Sequence, residues 1–278
     1  MASPRIDTHQ HFWAYVPENY DWITPDMAAL RRDYAPAELR PLLERGNVAG
    51  SVVVEARGHL DETRNLLRIA AETDFVRGVV GWLPLTEPRA GAWIEQLSSN
   101  PALKGVRHWM GPPNDVSFMT QEALHDGVAL LEGAGLTYDL GLWPPQLPAA
   151  AAFVDRHPRQ VFVVDHFAKP FIGARELEPW SRDLRALARR PNVYCKLSGL
   201  ATEADHERWS LDDLRPYMDV VLEAFGPRRL MFGSDWPVCT LAAPYQRWVE
   251  TVEALLSGSS AEERDRIWGG TAIEVYRL

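Results

Sequence analysis

The chain has 278 residues, a length that one large α/β barrel domain can use fully. Hydrophobic residues make up 46% and charged residues 24%, values that exclude a disordered, collagen-like or coiled-coil chain. The formal net charge of −9 disfavours nucleic acid, because the chain repels phosphate. Apolar runs are too short to cross a bilayer, residues 1–7 lack the apolar core of a secretory signal, and the two cysteines form no disulfide framework. We therefore expect a cytoplasmic protein with free thiols and no membrane partner.

Eight short apolar or β-branched runs recur along the chain, and segments with helical periodicity, such as 60–73, 121–133 and 211–225, separate them. The runs cover residues 5–13, 48–56, 76–85, 103–110, 136–143, 160–166, 193–200 and 229–238. Continuous apolar stretches are typical of parallel strands covered on both faces, so the pattern predicts a TIM (β/α)₈ barrel of class α/β, as one domain over residues 1–278. A doubly wound sheet is the alternative, but its Gly-x-Gly-x-x-Gly signal follows none of the runs.

Two segments outside this repeat have expected roles of their own. Residues 14–47 form the longest connection, and we expect it to cover the site as a lid. Ser260 and Glu263 match a capping box, which predicts a final helix that closes the barrel and has no chemical role.

Two histidines, His9 and His11, end the first predicted strand. Because strand side chains alternate, both rings face the same side, and one metal ion can bind both. Asp235 lies at the C-terminal end of the eighth predicted strand, which adjoins the first in a closed barrel, and His166 ends the sixth strand in phase with its inward face. We predict one cluster at the barrel mouth, with Asp235 as general base. The alternatives are a turn or capping aspartate and a core histidine.

Further polar side chains end other strands and predict a polar pocket. Glu55 comes after Val54 at the end of the second run, and Arg107 and His108 come after Val106 near the end of the fourth. We expect Arg107 to bind a substrate oxygen or carboxylate, and Lys196 to bind substrate or to pair with Asp139 or Glu55. Structural ion pairs are the alternative.

Five of the 11 tryptophans come at or just after strand ends. Aromatic faces beside polar groups suit a ring-shaped polyhydroxylated or planar ligand, so we expect these five to ring the mouth, with packing under loops as the alternative. They are Trp13, Trp82, Trp109, Trp143 and Trp236. The remaining histidines are expected at the surface: His59, His125, His157 and His206.

Five segments, taken in order, resemble the lactonase branch of the amidohydrolase superfamily, which includes L-fuconolactonase, L-rhamnonolactonase and 2-pyrone-4,6-dicarboxylate lactonase types. They are residues 6–13 (IDTHQHFW), 105–108 (GVRH), 165–170 (DHFAKP), 196–200 (KLSGL) and 232–238 (FGSDWPV). Residues 202–205 and 216–217 resemble the fuconolactonase-like subgroup, which favours a sugar lactone over a pyrone. The resemblance covers nearly the whole chain.

This resemblance implies a distorted (β/α)₈ barrel in which His9, His11, His166 and Asp235 form the metal and catalytic motif. One divalent ion, Zn²⁺, is expected, because a single middle strand carries a histidine and Lys104 lies too early in its strand to bridge two metals. The branch also includes members that work without metal, so a metal-free mechanism is the alternative.

The implied reaction is hydrolysis of a sugar lactone to its aldonic acid. Asp235 takes a proton from the attacking water and returns it to the leaving alkoxide, the metal and histidines polarise the carbonyl, and Arg107 or Lys196 orients substrate oxygens. The alternatives are pyrone-dicarboxylate hydrolysis, decarboxylation, or binding of a sugar acid or lactone without turnover. The expected partner is a small lactone, and the chain is a monomer or a homo-oligomer.

Overall fold

The computed structural model describes residues 2–278, and its eight parallel strands pair in chain order into one sheet that curves into a nearly closed barrel. The strands are β1 (Ile6–Gln10), β2 (Gly50–Val54), β3 (Val76–Gly81), β4 (Leu103–Trp109), β5 (Thr137–Gly141), β6 (Phe162–Val164), β7 (Val193–Leu197) and β8 (Leu230–Phe232). The predicted barrel is confirmed. Most strands are shorter than predicted, because the ends of the apolar runs leave the sheet as turns that carry polar side chains.

Helices follow the strands and form the outer layer of the barrel. They are α1 (Pro36–Arg45), α2 (Leu60–Glu72), α3 (Ala90–Ser98), α4 (Glu122–Ala134), α5 (Leu147–Asp155), α6 (Trp180–Ala188), α7 (Leu211–Phe225), α8 (Tyr245–Leu255), α9 (Ala261–Asp265) and α10 (Thr271–Tyr276). No helix between residues 2 and 278 combines the length and apolar character that crossing a membrane requires.

The barrel closes between β1 and the segment after β8. The backbone N–H of Asp235 donates to the His9 carbonyl at 2.7 Å, and the N–H of Ser234 donates to the buried carboxylate of Asp7 at 2.8 Å. Gly233 lets the two segments approach, because a Cβ there would lie 2.9 Å from the His9 Cβ. The seam therefore holds His9 and Asp235 side by side.

The final helical segment covers the N-terminal end of the barrel, as predicted. The Ser260 hydroxyl accepts a hydrogen bond from the Glu263 N–H at 3.2 Å and caps α9. Tyr276 of α10 packs into an inner apolar cluster with Ile6 and other strand residues. The Tyr276 hydroxyl also donates to the buried Asp139 carboxylate at 2.7 Å, which links this closing segment to the polar interior of the barrel.

The long connection after β1 is partly helical, since its second half is α1. Its first half lies over the C-terminal end of the barrel: Trp13 and Tyr34 exchange backbone hydrogen bonds of 3.1 and 2.9 Å, and the Trp22 indole N–H donates to the Ala56 carbonyl at 2.8 Å. These bonds fix the connection to the ends of β1 and β2.

Two histidines that we expected at the surface are buried. His125 of α4 and His157 after α5 lie 2.8 Å apart between Nδ1 and Nε2, against the Phe153 ring. Burial lowers the pKa of both, that of His157 to about 4, and Arg156 adds to the shift. The prediction fails because α4 and α5 pack together only in the folded barrel. His59 and His206 are exposed, as expected.

We predict that protonation of this pair destabilises the protein in acid. The folded pKa of His157, about 4, lies below the ordinary value of 6.5, so the unfolded chain binds more protons and stability falls as the pH drops through this window. Urea titrations at pH 7.5 and pH 5 measure how far the unfolding free energy drops between the two pH values. This drop should be about 1 kcal/mol smaller in His157→Gln than in the wild type. His206→Gln, at an exposed position, should follow the wild type; equal losses in all three proteins would contradict the prediction.

Candidate active site

His9, His11 and Asp235 meet at the C-terminal end of the barrel seam. Asp235 Oδ1 lies 3.3 Å from His11 Nε2 and 3.8 Å from His9 Nε2, and all three residues are buried. One ligand atom from each lies within 4.8 Å of the others, a spacing that suits three ligands of one metal ion. The structure thus brings together three of the four predicted cluster residues in one group.

The hydrogen bonds of His11 determine what its ring offers to Asp235. His11 Nδ1 is 2.9 Å from the Val54 carbonyl, which only accepts, so Nδ1 carries the proton. In the neutral ring the lone pair of Nε2 then faces the Asp235 carboxylate at 3.3 Å. Two acceptors aimed at one point need a cation or a proton between them, which is the donor arrangement of a metal site.

His166 joins a second group with His9 and Asp165, whose ligand atoms also lie within 4.8 Å of one another. Asp165 Oδ1 is 3.3 Å from His9 Nδ1, and His166 Nδ1 is 3.9 Å from Asp235 Oδ2. The sequence analysis missed Asp165 as a site residue. The signal was its place directly before His166 at the end of the sixth strand. We name His9, His11, Asp165, His166 and Asp235 the His–Asp cluster.

A left-handed turn presents His166 to the cluster. Residues 166–169 have φ between 50° and 57°, and none is glycine, so each costs roughly 1–2 kcal/mol. The Trp180 indole N–H donates to the Phe167 carbonyl at 2.7 Å, and Phe167 is fully buried, so tertiary contacts hold the turn. Gly199, at φ 65°, has to be glycine, because a Cβ would lie 2.7 Å from His166 Nδ1. His166 Nδ1 is 2.9 Å from the Ser198 hydroxyl.

Lys196 lies beneath the cluster, inside the barrel, with no exposed surface. Its Nζ donates to Asp139 Oδ2 at 2.6 Å and is 3.1 Å from Asp165 Oδ1 and 3.2 Å from His9 Nδ1. Burial alone would lower the pKa of Lys196, but Asp139 and Asp165 outweigh burial and raise it, so the amine stays charged. Of the two predicted partners, Lys196 pairs with Asp139 and not with Glu55.

Glu55 pairs instead with Arg107, which is equally enclosed. Arg107 Nε donates to Glu55 Oε1 at 2.7 Å, and its Nη2 donates to the Glu55 carbonyl. Its Nη1 is 3.3 Å from His9 Nε2 and 3.5 Å from Asp165 Oδ2. All three guanidinium nitrogens of Arg107 therefore have partners within the protein. We call Glu55, Arg107, Asp139, Asp165 and Lys196 the interior ion network.

The electrostatic balance of the interior favours a divalent cation. Besides Asp235, the interior ion network contributes three carboxylates against the two cations Arg107 and Lys196. Burial, with Lys196 next, lowers the pKa of His9 well below its ordinary value, so this ring is neutral. Burial would raise the pKa of Asp235, but the positive groups around it outweigh burial and lower it, so the carboxylate is ionised. An excess of negative charge beside neutral imidazole nitrogens fits a divalent metal ion.

The five predicted mouth tryptophans divide into two groups. Trp109 is 39% exposed, lies 5.8 Å from Trp143 between ring centroids, and stacks at 6.5 Å on His166. Trp82 is also partly exposed. Trp13 and Trp236 are buried in the aromatic packing beneath the long connection, and the prediction that they ring an open mouth is wrong for these two.

The structure does not bring His108 to the cluster. Arg107 faces the barrel interior, so the next residue of β4 faces the helix layer. The His108 ring packs 5.5 Å from Trp82 and 5.7 Å from Tyr138, and burial lowers its pKa to about 3. The expected pocket position fails because adjacent residues of a strand point to opposite faces, so Arg107 and His108 cannot both face the interior.

Lys169 is a cation at the mouth that the sequence analysis did not select. It ends the left-handed turn, forms an ion pair with Glu203, and lies 5.3 Å from the Trp143 ring and 5.9 Å from the Trp109 ring. Its place in the DHFAKP segment was the available signal.

Comparison with known proteins agrees with this architecture. A family model described as amidohydrolase matches residues 6–278, and the chain belongs to this amidohydrolase family. It is 41% identical to a Burkholderia multivorans protein named L-fucono-1,5-lactonase, over 100% of this chain and 97% of that protein. It is 37% identical to a protein of the same name from Burkholderia ambifaria, over 99% and 96% of the two chains.

A solved structure matches as well. It is an amidohydrolase from Burkholderia multivorans with bound Zn, with a TM-score of 0.95 and 40% identity over 99% of this chain and 100% of that chain. The family resemblance inferred from the sequence motifs is confirmed.

We predict that the interior ion network fails when Lys196 is removed. Lys196→Met leaves Asp139 and Asp165 buried without their shared ammonium, which should lower the unfolding free energy by about 3–5 kcal/mol. Lys104→Met is the matched control, because the Lys104 ammonium donates to the Arg277 carbonyl near the surface, and it should cost less than about 1 kcal/mol. Urea unfolding followed by circular dichroism measures both; equal losses would contradict the role of Lys196.

Proposed function

We propose that this chain hydrolyses a sugar lactone of the L-fucono-1,5-lactone type to the open-chain aldonate. The observation that carries the proposal is the ionised Asp235 carboxylate, 3.3 Å from His11 Nε2 at the barrel mouth, where enzymes of this fold place their catalytic groups. The names of the two Burkholderia relatives, at 41% and 37% identity, support the substrate class.

Asp235 is the general base and then the general acid. Its carboxylate accepts a proton from water as the water oxygen bonds to the lactone carbonyl carbon, which gives a tetrahedral alkoxide. When the ring C–O bond breaks, Asp235 returns that proton to the departing ring oxygen. His166 faces the same carboxylate from the left-handed turn and is placed to donate to, or accept from, the reacting oxygens.

One Zn²⁺ ion is the proposed cofactor, held by His9, His11 and Asp235, with His166 next to them. The lone pair of His11 Nε2 aimed at Asp235, and the negative interior, fit such an ion. When bound, it supplies Lewis acidity toward the lactone carbonyl.

Arg107, Lys196 and Glu55 act as positioning residues in this proposal, in place of the substrate contacts that the sequence suggested. Their polar atoms are committed to one another, to Asp139 and to the His–Asp cluster. They hold His9 and Asp165 in place, while the exposed faces of Trp82, Trp109 and Trp143 remain to contact the sugar ring.

The charge of the mouth favours a lactone over the alternative substrates. Pyrone dicarboxylates and aromatic acids are anions and require cationic anchors. Arg107 and Lys196 are buried and each faces carboxylates of the protein itself, so these two cations offer no anchor to an anionic substrate, and a neutral lactone fits the site better.

We predict that Asp235→Asn lowers kcat for lactone hydrolysis by about 10³-fold, because an amide cannot accept the proton of water. Acid release in a pH-stat, over a panel of L-fucono-, L-rhamnono-, L-galactono- and D-galactonolactones, measures the effect. Asp205→Asn, an exposed aspartate, should keep the wild-type rate. Undiminished turnover in a folded Asp235→Asn variant would show that another group is the base. If the wild type hydrolysed none of these lactones, the sugar-lactonase proposal would be wrong, and anionic substrates would be tested next.

We predict that the wild type binds about one Zn²⁺ per chain, because one cluster of suitable ligands lies at the mouth. Elemental analysis and competition with a chromophoric chelator measure stoichiometry and affinity. His11→Asn should lose at least about tenfold in affinity, whereas His206→Asn should not change it. A chelated, metal-free wild type that retains full turnover would overturn the metal assignment and leave Asp235 as a metal-free base.

A further inference from the structure

Lys169 and Glu203 form an ion pair beside the proposed reaction centre. Lys169 ends the left-handed turn that carries His166, and Glu203 lies in the short turn after β7. Their side chains are 19% and 15% exposed, so both are accessible from the mouth yet largely shielded from water. Shielding makes an ion pair stronger than one at the open surface.

The aromatic rings beside the pair fix its place relative to the chemistry. The Lys169 ammonium lies 5.3 Å from the Trp143 ring centroid and 5.9 Å from the Trp109 centroid. The Trp109 ring in turn stacks at 6.5 Å, with a 21° interplanar angle, on His166. The ammonium therefore lies at the same end of the barrel as the carboxylate of Asp235, one aromatic ring away from His166.

Lactone hydrolysis changes the charge of the bound molecule. The lactone is neutral, whereas the product is a carboxylate at the carbon that water attacked. A lysine that is already paired presents little net charge to the neutral lactone, but a new carboxylate can exchange with Glu203 for the ammonium. The pair thus distinguishes product from substrate, and a product held too tightly would limit turnover.

We propose that Lys169 binds the carboxylate of the aldonate product and that Glu203 competes with this carboxylate for the ammonium and so promotes product release. This inference rests on the proposed lactonase function. The rigid left-handed turn keeps the backbone of Lys169 beside His166, so exchange of partners requires only side-chain movement.

Direct binding of L-fuconate, measured by calorimetry, tests the proposal together with L-fuconate inhibition of lactone turnover. Lys169→Met should weaken L-fuconate binding about tenfold, because the charged partner is lost. Glu203→Gln should strengthen it about tenfold, because the competing carboxylate is gone, and should lower kcat if release becomes slow. A damaged fold could explain weaker L-fuconate binding by Lys169→Met, but it could not explain tighter binding by Glu203→Gln. The opposite effects of the two variants therefore test the proposal.

Two controls separate charge recognition from general effects. L-Fucitol, the neutral alditol, should bind the wild type and both variants equally. Glu132→Gln removes a comparable pair, with Arg159 at 2.6 Å on the outer helix layer, and should leave L-fuconate binding unchanged. Affinities for L-fuconate within about twofold in all proteins, or equal shifts for L-fuconate and L-fucitol, would overturn the proposal. Binding is measured without turnover, so an inactive wild type would count against the lactonase function and not against the role of Lys169.

Discussion

The charge of Lys196 inside the barrel is the constraint on which the rest of the site depends. An ammonium with no exposed surface is tolerable only when carboxylates face it at close range, and Asp139 and Asp165 do so at 2.6 and 3.1 Å. Asp139 lies in the middle of β5, Asp165 directly follows β6, and Lys196 lies in β7. The ion pairs therefore fix three neighbouring strands in register at the level where the barrel interior changes from apolar to polar.

This network connects the floor of the barrel with its mouth. Tyr276 of the last helix donates to Asp139, Asp139 binds Lys196, and Lys196 shares Asp165 with Arg107. Asp165 in turn faces Nδ1 of His9, which leaves Nε2 of that ring toward Asp235. A closing helix that looks purely structural thus bears on the geometry of the His–Asp cluster. Removing one member of this buried network leaves its charged partners unpaired in a low-dielectric interior, which is costly.

The mouth combines neutral character with rigid aromatic surfaces. Its cations are paired with carboxylates of the protein, and Trp109 and Trp143 offer apolar faces next to His166. Such a surface suits a sugar ring, which has apolar faces and a polar edge. The strained turn at residues 166–169 fits this picture, since backbone held in the left-handed region concentrates at functional sites where surrounding contacts determine it.

The sequence alone determined the barrel and its eight strands, because the pattern of apolar residues defines the strands. It also placed His9, His11, His166 and Asp235 close together, because the C-terminal ends of parallel strands lie at the same end of the barrel. It also determined the family, through motifs spread along the chain. Only the tertiary structure decided which polar residues face the site. His108 and Arg107 are adjacent in sequence but point to opposite sides of β4, and one residue of register separates pocket from helix layer. The contact of His125 with His157 and the ion pair of Lys169 with Glu203 join residues from different helices or loops. The left-handed turn depends on a hydrogen bond from the more distant Trp180. Local preference does not favour such contacts; packing of the complete barrel does.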